Sequence, residues 1–200
     1  PNESAIKGHL KVGWTQYQDI LFYELSKEKF VINSIATDIE FEAINQFSDR
    51  DFAYDNFYSN TYDFYIPRNS KWLNWRCSKP NSNYLKFRIT QNKVFKGFII
   101  LKEYFDIKES IKKLHIVDYC TKSGDNSVFE AMLSFIVNFA SSVNADLINL
   151  WLFENDTNTV TTLLKRVFLK SASKNYVILF PVGNSLPAKD IKNIRLTLFD

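Results

Sequence analysis

The sequence predicts an α/β fold of the α+β kind: a mixed, mostly antiparallel sheet built around a central parallel β-α-β unit, with flanking helices. Three observations carry this reading. Residues from Tyr84 alternate apolar and polar, then return through a short turn as a second apolar run, the pattern of a half-buried antiparallel hairpin. Leu114 to Cys120, a polar loop, a helical stretch and Leu147 to Phe153 follow as strand, loop, helix and strand, which makes the two strands parallel with a right-handed crossover. A second amphipathic helix and two closing apolar runs complete the order.

Taken in chain order, Asn2 or Ser4 can cap a first short helix carrying Ile6 and Leu10, and Gly13 can close it in the left-handed region. Trp14 to Leu25 is rich in aromatic and β-branched residues and reads as extended, while Ile35 to Tyr65 is acidic, Asn-rich and open between helix and loop. A boundary near residue 55 divides an N-terminal helix-strand segment, 1–55, from a main domain, 56–200. After Pro67, Asn69-Ser70 can cap a helix with Trp72, Leu73, Trp75 and Arg76, which Pro80 ends. In the hairpin, Leu85, Phe87 and Ile89 share one face and Lys86, Arg88 and Thr90 the other; Gln91-Asn92-Lys93 turns the chain, and Val94 to Leu101 returns, interrupted by Gly97. Thr121 to Ser127 is turn-rich and leads into a helix whose Phe129, Met132, Leu133, Ile136, Phe139 and Ala140 recur at helical spacing. Glu154 to Thr157 offers caps for the second helix, with Val160, Leu163, Leu164, Val167 and Phe168 along one side. Asn175 to Val182 and Ile191 to Phe199 read as the closing strands, joined through Gly183 and Pro187.

Bulk properties narrow the function classes. Two hundred residues with 46% hydrophobic content can bury a core, and 18 Phe, 10 Tyr and 4 Trp argue against disorder. No apolar run reaches the roughly 20 residues that span a bilayer, and the start Pro-Asn-Glu has no basic-then-apolar signal pattern, so the expectation is a soluble cytoplasmic protein without membrane contact. Beginning at Pro rather than Met points to a chain cut or processed from something longer. The net charge of +3 comes from interspersed charges, with Glu109 breaking the basic run Lys108 to Lys113, which gives no footprint for nucleic acid. Cys77 and Cys120 lie far apart outside any Cys-x-x-Cys pattern and read as two reduced thiols. With His9 and His115 alone, neither a histidine metal cluster nor a Ser-His-Asp triad has its company in sequence.

The element order, with its Gly97 hairpin and the loop from Ser123 to Ser127 before a helix, resembles the GNAT (N-acetyltransferase-like) superfamily. Trp72-Leu73-Asn74-Trp75-Arg76 with Pro80 and Tyr84 downstream, then Ile116-Val117-Asp118 and the closing Leu196 to Asp200, is similar to the C-terminal GNAT-like half of two-domain bacterial acyltransferases of cell-surface polysaccharide pathways. The likeness covers residues 62 to 200. Residues 1 to 25, with Pro1-Asn2-Glu3-Ser4 before a helix and then Gly13-Trp14, resemble the last helix and following strand of a preceding GNAT repeat, and read equally as an ordinary N-terminal helix packing on the domain.

The resemblance implies an acyl-CoA donor, acetyl-CoA in the first instance, and a small or sugar-linked acceptor, with an N-terminal GNAT domain absent from this chain as a partner. It also implies that the cofactor meets Cys120, Thr121, Ser123, Gly124, Asp125, Asn126 and Ser127, where helix N–H donors and a glycine suit a pyrophosphate. The same stretch reads as a well-capped helix start; Lys122 to Ser127 lacks the family's Gln/Arg-x-x-Gly-x-Gly/Ala pattern, and Asp125 adds a negative charge. For proton transfer the candidates are Asp118, Tyr119 and Glu154, against structural readings of Tyr119 as a core aromatic and Asp118 as a buried carboxylate paired with Arg76. Trp75 and Arg76 are the acceptor-side candidates, Cys120 reads as a packed thiol, and the Tyr that many members carry on the last helix has no counterpart between Val160 and Phe168. A non-catalytic GNAT-like module that binds acceptor or packs a neighbouring domain is the alternative.

Overall fold

The structure, a computed structural model, describes residues 3–52, 64–65, 68–80, 82–121, 126–153, 157–179 and 194–195. Its elements are α1 (Glu3–Lys11), β1 (Thr15–Ser26), β2 (Ile39–Ala43), α2 (Asp49–Phe52), β3 (Phe64–Tyr65), α3 (Ser70–Cys77), β4 (Tyr84–Gln91), β5 (Val94–Asp106), β6 (Ile111–Thr121), α4 (Asn126–Ser142), β7 (Leu147–Phe153), α5 (Thr157–Lys165), β8 (Leu169–Leu179) and β9 (Ile194–Arg195). Among the described residues seven strands form one sheet in the order β2-β4-β5-β6-β7-β1-β8. Every neighbouring pair in it is antiparallel except β6 and β7. This is the mixed sheet with a β-α-β unit that the sequence predicts.

The hairpin forms as expected, and its turn is tight because Asn92 and Lys93 both take left-handed backbone at φ 50° and 65°, so Gln91 pairs directly with Val94. Asn69 caps α3 by accepting the Trp72 N–H at 2.8 Å. Helix α1 ends where the Gly13 and Trp14 N–H groups donate to the Leu10 and His9 carbonyls with Gly13 at φ 92°, the role foreseen for that glycine. Asn144 does the same for α4.

One expectation changes. The last helix stops at Lys165 and does not reach Phe168: Val167 turns left-handed at φ 56°, its N–H and that of Phe168 close onto Leu164 and Leu163, and β8 begins at Leu169, six residues before Asn175. The first strand also lies deep in the sheet, with β1 antiparallel to both β7 and β8 and β2 on β4, so strands on either side of residue 55 share one sheet. Asn2, Pro67, Gly183, Pro187 and most of Ile191 to Phe199 lie outside the described residues.

Helix α4 buries Val128, Met132, Leu133, Ile136 and Ala140 against Leu114, Ile116, Ile148 and Leu150, and α5 adds Leu163 to the same cluster. The opposite face is covered over β5 and β6 by Leu73 of α3 and by Phe47, which pack on Phe98, Ile100, Val117 and Cys120. At roughly 25 cal/mol per Å² of apolar surface removed from water, these two layers supply the main force that holds the sheet.

Candidate functional site

The site is where β6 and β7 part. The two strands run parallel, but their ladder holds only from Lys113 opposite Leu147 to Ile116 opposite Leu150, although β6 continues to Thr121 and β7 to Phe153. The parting coincides with an irregularity: Ile100 of β5 faces Asp118 while the next residue, Leu101, faces Ile116, so Val117 is an extra residue that bulges β6. A bulge re-aims the side chains after it and increases twist, which turns the end of β6 away from β7. Beyond the parting, β6 lies so close to β5 that a Cβ at Gly97 would overlap the Cys120 carbonyl oxygen. Helix α4 starts at Asn126, shortly after this end of β6, with no acidic residue in its first turn.

The sequence-predicted residues divide at this wedge. Asp118 is fully buried, and its Oδ2 accepts from Arg68 Nε at 2.8 Å while Oδ1 accepts the Tyr119 backbone N–H at 2.8 Å. The cation bonded to Asp118 Oδ2 is Arg68, which precedes α3 and lies with its guanidinium 4.6 Å above the Trp72 ring; Arg76, the expected partner, is on the last turn of α3. Tyr119 is buried on the α4 side, 5.9 Å from the Phe129 ring centroid, as a core aromatic is. Cys120 is buried in the apolar layer under α3, against which Cys77 also packs; burial pushes the Cys77 thiol up to about 11. Thr121 is half-buried, Asn126 and Ser127 are exposed, Trp75 is exposed and Arg76 half-buried. Lys122, Ser123, Gly124, Asp125 and Glu154 lie outside the described residues.

One group at the wedge was not singled out by sequence. His115 of β6 and Asn149 of β7 are register partners one rung before the ladder ends. Burial lowers the His115 pKa to about 4, against a smaller upward effect of the Asn149 carboxamide beside it and downward effects of Lys113 and Lys102. The Tyr104 ring stacks on the imidazole at 4.6 Å and 16°. Although the carboxamide and imidazole adjoin, neither His115 Nδ1 nor Asn149 Oδ1, both buried, has a well-formed hydrogen bond among the described residues. An isolated His and an Asn some thirty residues on make no motif; only the strand register brings them together.

No protein-family model and no curated protein matches the chain. Solved structures do. A GCN5-related N-acetyltransferase from Anabaena variabilis is similar with a TM-score of 0.57 and 18% identity over 88% of this chain and 42% of its own. One from Kribbella flavida has a TM-score of 0.57 and 10% identity over 95% of this chain and 67% of its own. One from Sphaerobacter thermophilus has a TM-score of 0.56 and 11% identity over 88% of this chain and 55% of its own. The chain thus spans under half the length of the Anabaena protein and just over half that of the Sphaerobacter protein. At these identities the likeness speaks to architecture, and with the one parallel pair of the seven-stranded sheet it leads to a single conclusion: this chain has the fold of the GCN5-related N-acetyltransferases.

Proposed function

We propose that this chain is an acyl-CoA-dependent acyltransferase, or the C-terminal half of one, that moves an acyl group, acetyl in the first instance, from the thioester sulfur to an amine or hydroxyl of a small or sugar-linked acceptor. The observation that carries the reading is the β6–β7 ladder ending at Ile116 and Leu150 in front of the α4 N-terminus. Parting strands offer backbone donors and acceptors to the amide-bearing arm of a CoA, and the start of a long helix favours its pyrophosphate. On this reading Cys120, Thr121 and the stretch Ser123, Gly124, Asp125, Asn126 and Ser127 meet the cofactor. Asp118 is committed to Arg68, which leaves Tyr119 and Glu154 to handle the acceptor proton and the leaving thiolate. We assign Trp75, which is exposed on α3, and Arg76 to the acceptor side. The string Trp72 to Arg76 is what supports a bacterial, cytoplasmic role in polysaccharide synthesis beside an N-terminal GNAT domain.

A second reading, a non-catalytic GNAT-like module, is favoured by the same burial of Asp118 and by the lack of any Tyr in α5. Calorimetric titration with acetyl-CoA separates the two. Heat and thermal stabilisation at millimolar ligand support the enzyme, and neither sinks it for this chain. If binding is seen, Gly124→Glu should abolish it, and an unchanged affinity would remove the pyrophosphate assignment.

A further inference from the structure

Helix α3 buries Leu73 against the sheet, and its outward side is basic and aromatic. Lys71 and Trp75 stand one turn apart on one face, both exposed, Trp75 to 66%. Exposed Lys79 follows the helix, and no acidic residue lies between Ser70 and Tyr84. The sheet continues this patch. Register places Lys86 of β4 opposite Ile100, and Ile100 opposite Asp118, so Lys86 is on the α3 face, about 10 Å from the end of β6 at the usual strand spacing. On the next rung of that face Lys102 Nζ lies 5.6 Å over the Tyr84 ring. Besides burial, the charges that act on the Cys77 thiol at the end of α3 are those of Lys86, Asp118 and Arg76, so the helix end, β4 and the end of β6 meet there.

The acids around this patch are engaged: Asp118 by Arg68, Asp51 and Glu42 by Arg88, and Asp49 by Ser70. None of Lys71, Lys79 and Lys86 has an ion pair among the described residues. Lys86 is half-buried, and an ammonium in that position without a counter-ion gives up solvation that an anion would restore. We infer that the patch seats an acceptor that is a nucleoside diphosphate sugar: the sugar reaches the end of β6, Lys86 and Lys79 hold the diphosphate, and the nucleoside base lies on the Trp75 ring with Lys71 beside it. The inference rests on the acyltransferase reading and narrows its small or sugar-linked acceptor to this class. A sugar ring spans most of the distance from the end of β6 to Lys86, which leaves the diphosphate over the lysines. Ammonium groups bind phosphate through charge-assisted hydrogen bonds, and an exposed indole offers a flat face for stacking. One aromatic platform beside a few cations matches one nucleoside and one diphosphate, whereas a nucleic-acid strand needs a groove that tracks several nucleotides.

The test is an NMR titration of the ¹⁵N-labelled full chain with uridine diphosphate N-acetylglucosamine, with inorganic pyrophosphate and N-acetylglucosamine as the two part-ligands, each repeated with saturating coenzyme A. The sugar nucleotide should shift the Trp75 indole N–H and the Lys86 amide signals, and N-acetylglucosamine should leave both in place. Lys86→Gln should weaken the sugar nucleotide by about tenfold, since a charge-assisted contact is lost, while Lys86→Arg keeps most of the affinity. Trp75→Ala should weaken it by about tenfold as well, with coenzyme A affinity within about twofold of wild type in every variant. Lys79→Gln, on the exposed segment after α3, serves as the second charge variant if Lys86→Gln does not fold. A silent Trp75 indole, an affinity no higher than that of pyrophosphate, or unchanged affinity in the variants overturns the assignment. Displacement of the sugar nucleotide by coenzyme A overturns it too, because the diphosphate would then occupy the cofactor's place. Absence of coenzyme A binding to the wild type overturns the acyltransferase reading instead, and the Trp75 shift still decides the patch.

Discussion

Arg68 Nε stands 2.8 Å from Asp118 Oδ2 with the two side chains 2% and 0% exposed, a buried ion pair at the residue that follows the bulge of β6. Taking both charges out of water is expensive, and removing one partner strands the other. Arg68→Met and Asp118→Asn should each lower the unfolding free energy by about 3–5 kcal/mol. The combined Arg68→Met and Asp118→Leu should lose less than either alone, because no charge is then stranded. Urea denaturation of the three variants measures this, and near-additive losses would show that the pair is not the coupling that holds this end of β6.

Gly97 sets the distance between β5 and the end of β6. A Cβ there would overlap the Cys120 carbonyl oxygen and stand 3.0 Å from the Cys120 carbonyl carbon, both backbone atoms that cannot rotate away. Gly97→Ala should therefore push the strands apart at the pairing of Gly97 with Thr121 and cost about 2–4 kcal/mol, toward the upper end of overpacking effects. The loss should be accompanied by faster amide exchange at Cys120 and Thr121 than in the rest of β6. A variant as stable as wild type would mean that the backbone yields there.

How much of this was legible in the sequence depends on how local the cause is. The alternation from Leu85 to Thr90 and the helical recurrence from Phe129 to Ala140 are direct imprints of which face is buried, so the hairpin and the β-α-β unit could be read off. The insertion of β1 between β7 and β8 could not, because Trp14 to Leu25 carries the composition of a strand and no mark of its neighbours. At Asp118 the need for a buried cation was readable. That Arg68 supplies one was not, since it depends on how the chain enters α3. The His115–Asn149 pair shows the same limit from the side of the site: register alone joins them. The end of α5 was missed for a different reason, since apolar residues continue through Phe168 and the left-handed position is filled by Val instead of Gly.

That last position is a point of strain. A β-branched residue at φ 56° pays the steric cost of the left-handed region, about 1–2 kcal/mol, which glycine avoids. Val167 is 47% exposed, so little packing is lost by removing its side chain. Val167→Gly should stabilise the fold by about 0.5–1 kcal/mol after the larger unfolded-state entropy of glycine is set against the relieved strain. Thermal and urea denaturation measure it, and a destabilised variant would show that the Val167 side chain contributes packing that outweighs the strain.

His115 predicts how stability depends on pH. Its folded pKa of about 4 lies below the ordinary 6.5, so between these values the unfolded chain binds a proton that the folded protein refuses. Stability should then rise with pH across that window: it is fully present above about pH 6.5, erodes as pH falls, and stops eroding on this account near pH 4. The full shift corresponds to no more than about 3 kcal/mol, less if water reaches the ring in part. The groups facing it are Tyr104, Asn149, Lys102 and Lys113, and the Asp106 carboxyl that holds Lys113 is drawn down to about 2, so its own loss falls at lower pH and is separable. His115→Gln should flatten the profile between pH 4 and 6.5 while leaving the drop below pH 4 in place. Urea midpoints at half-unit pH steps for the two proteins make the comparison, and parallel profiles would mean that the imidazole titrates normally in the fold.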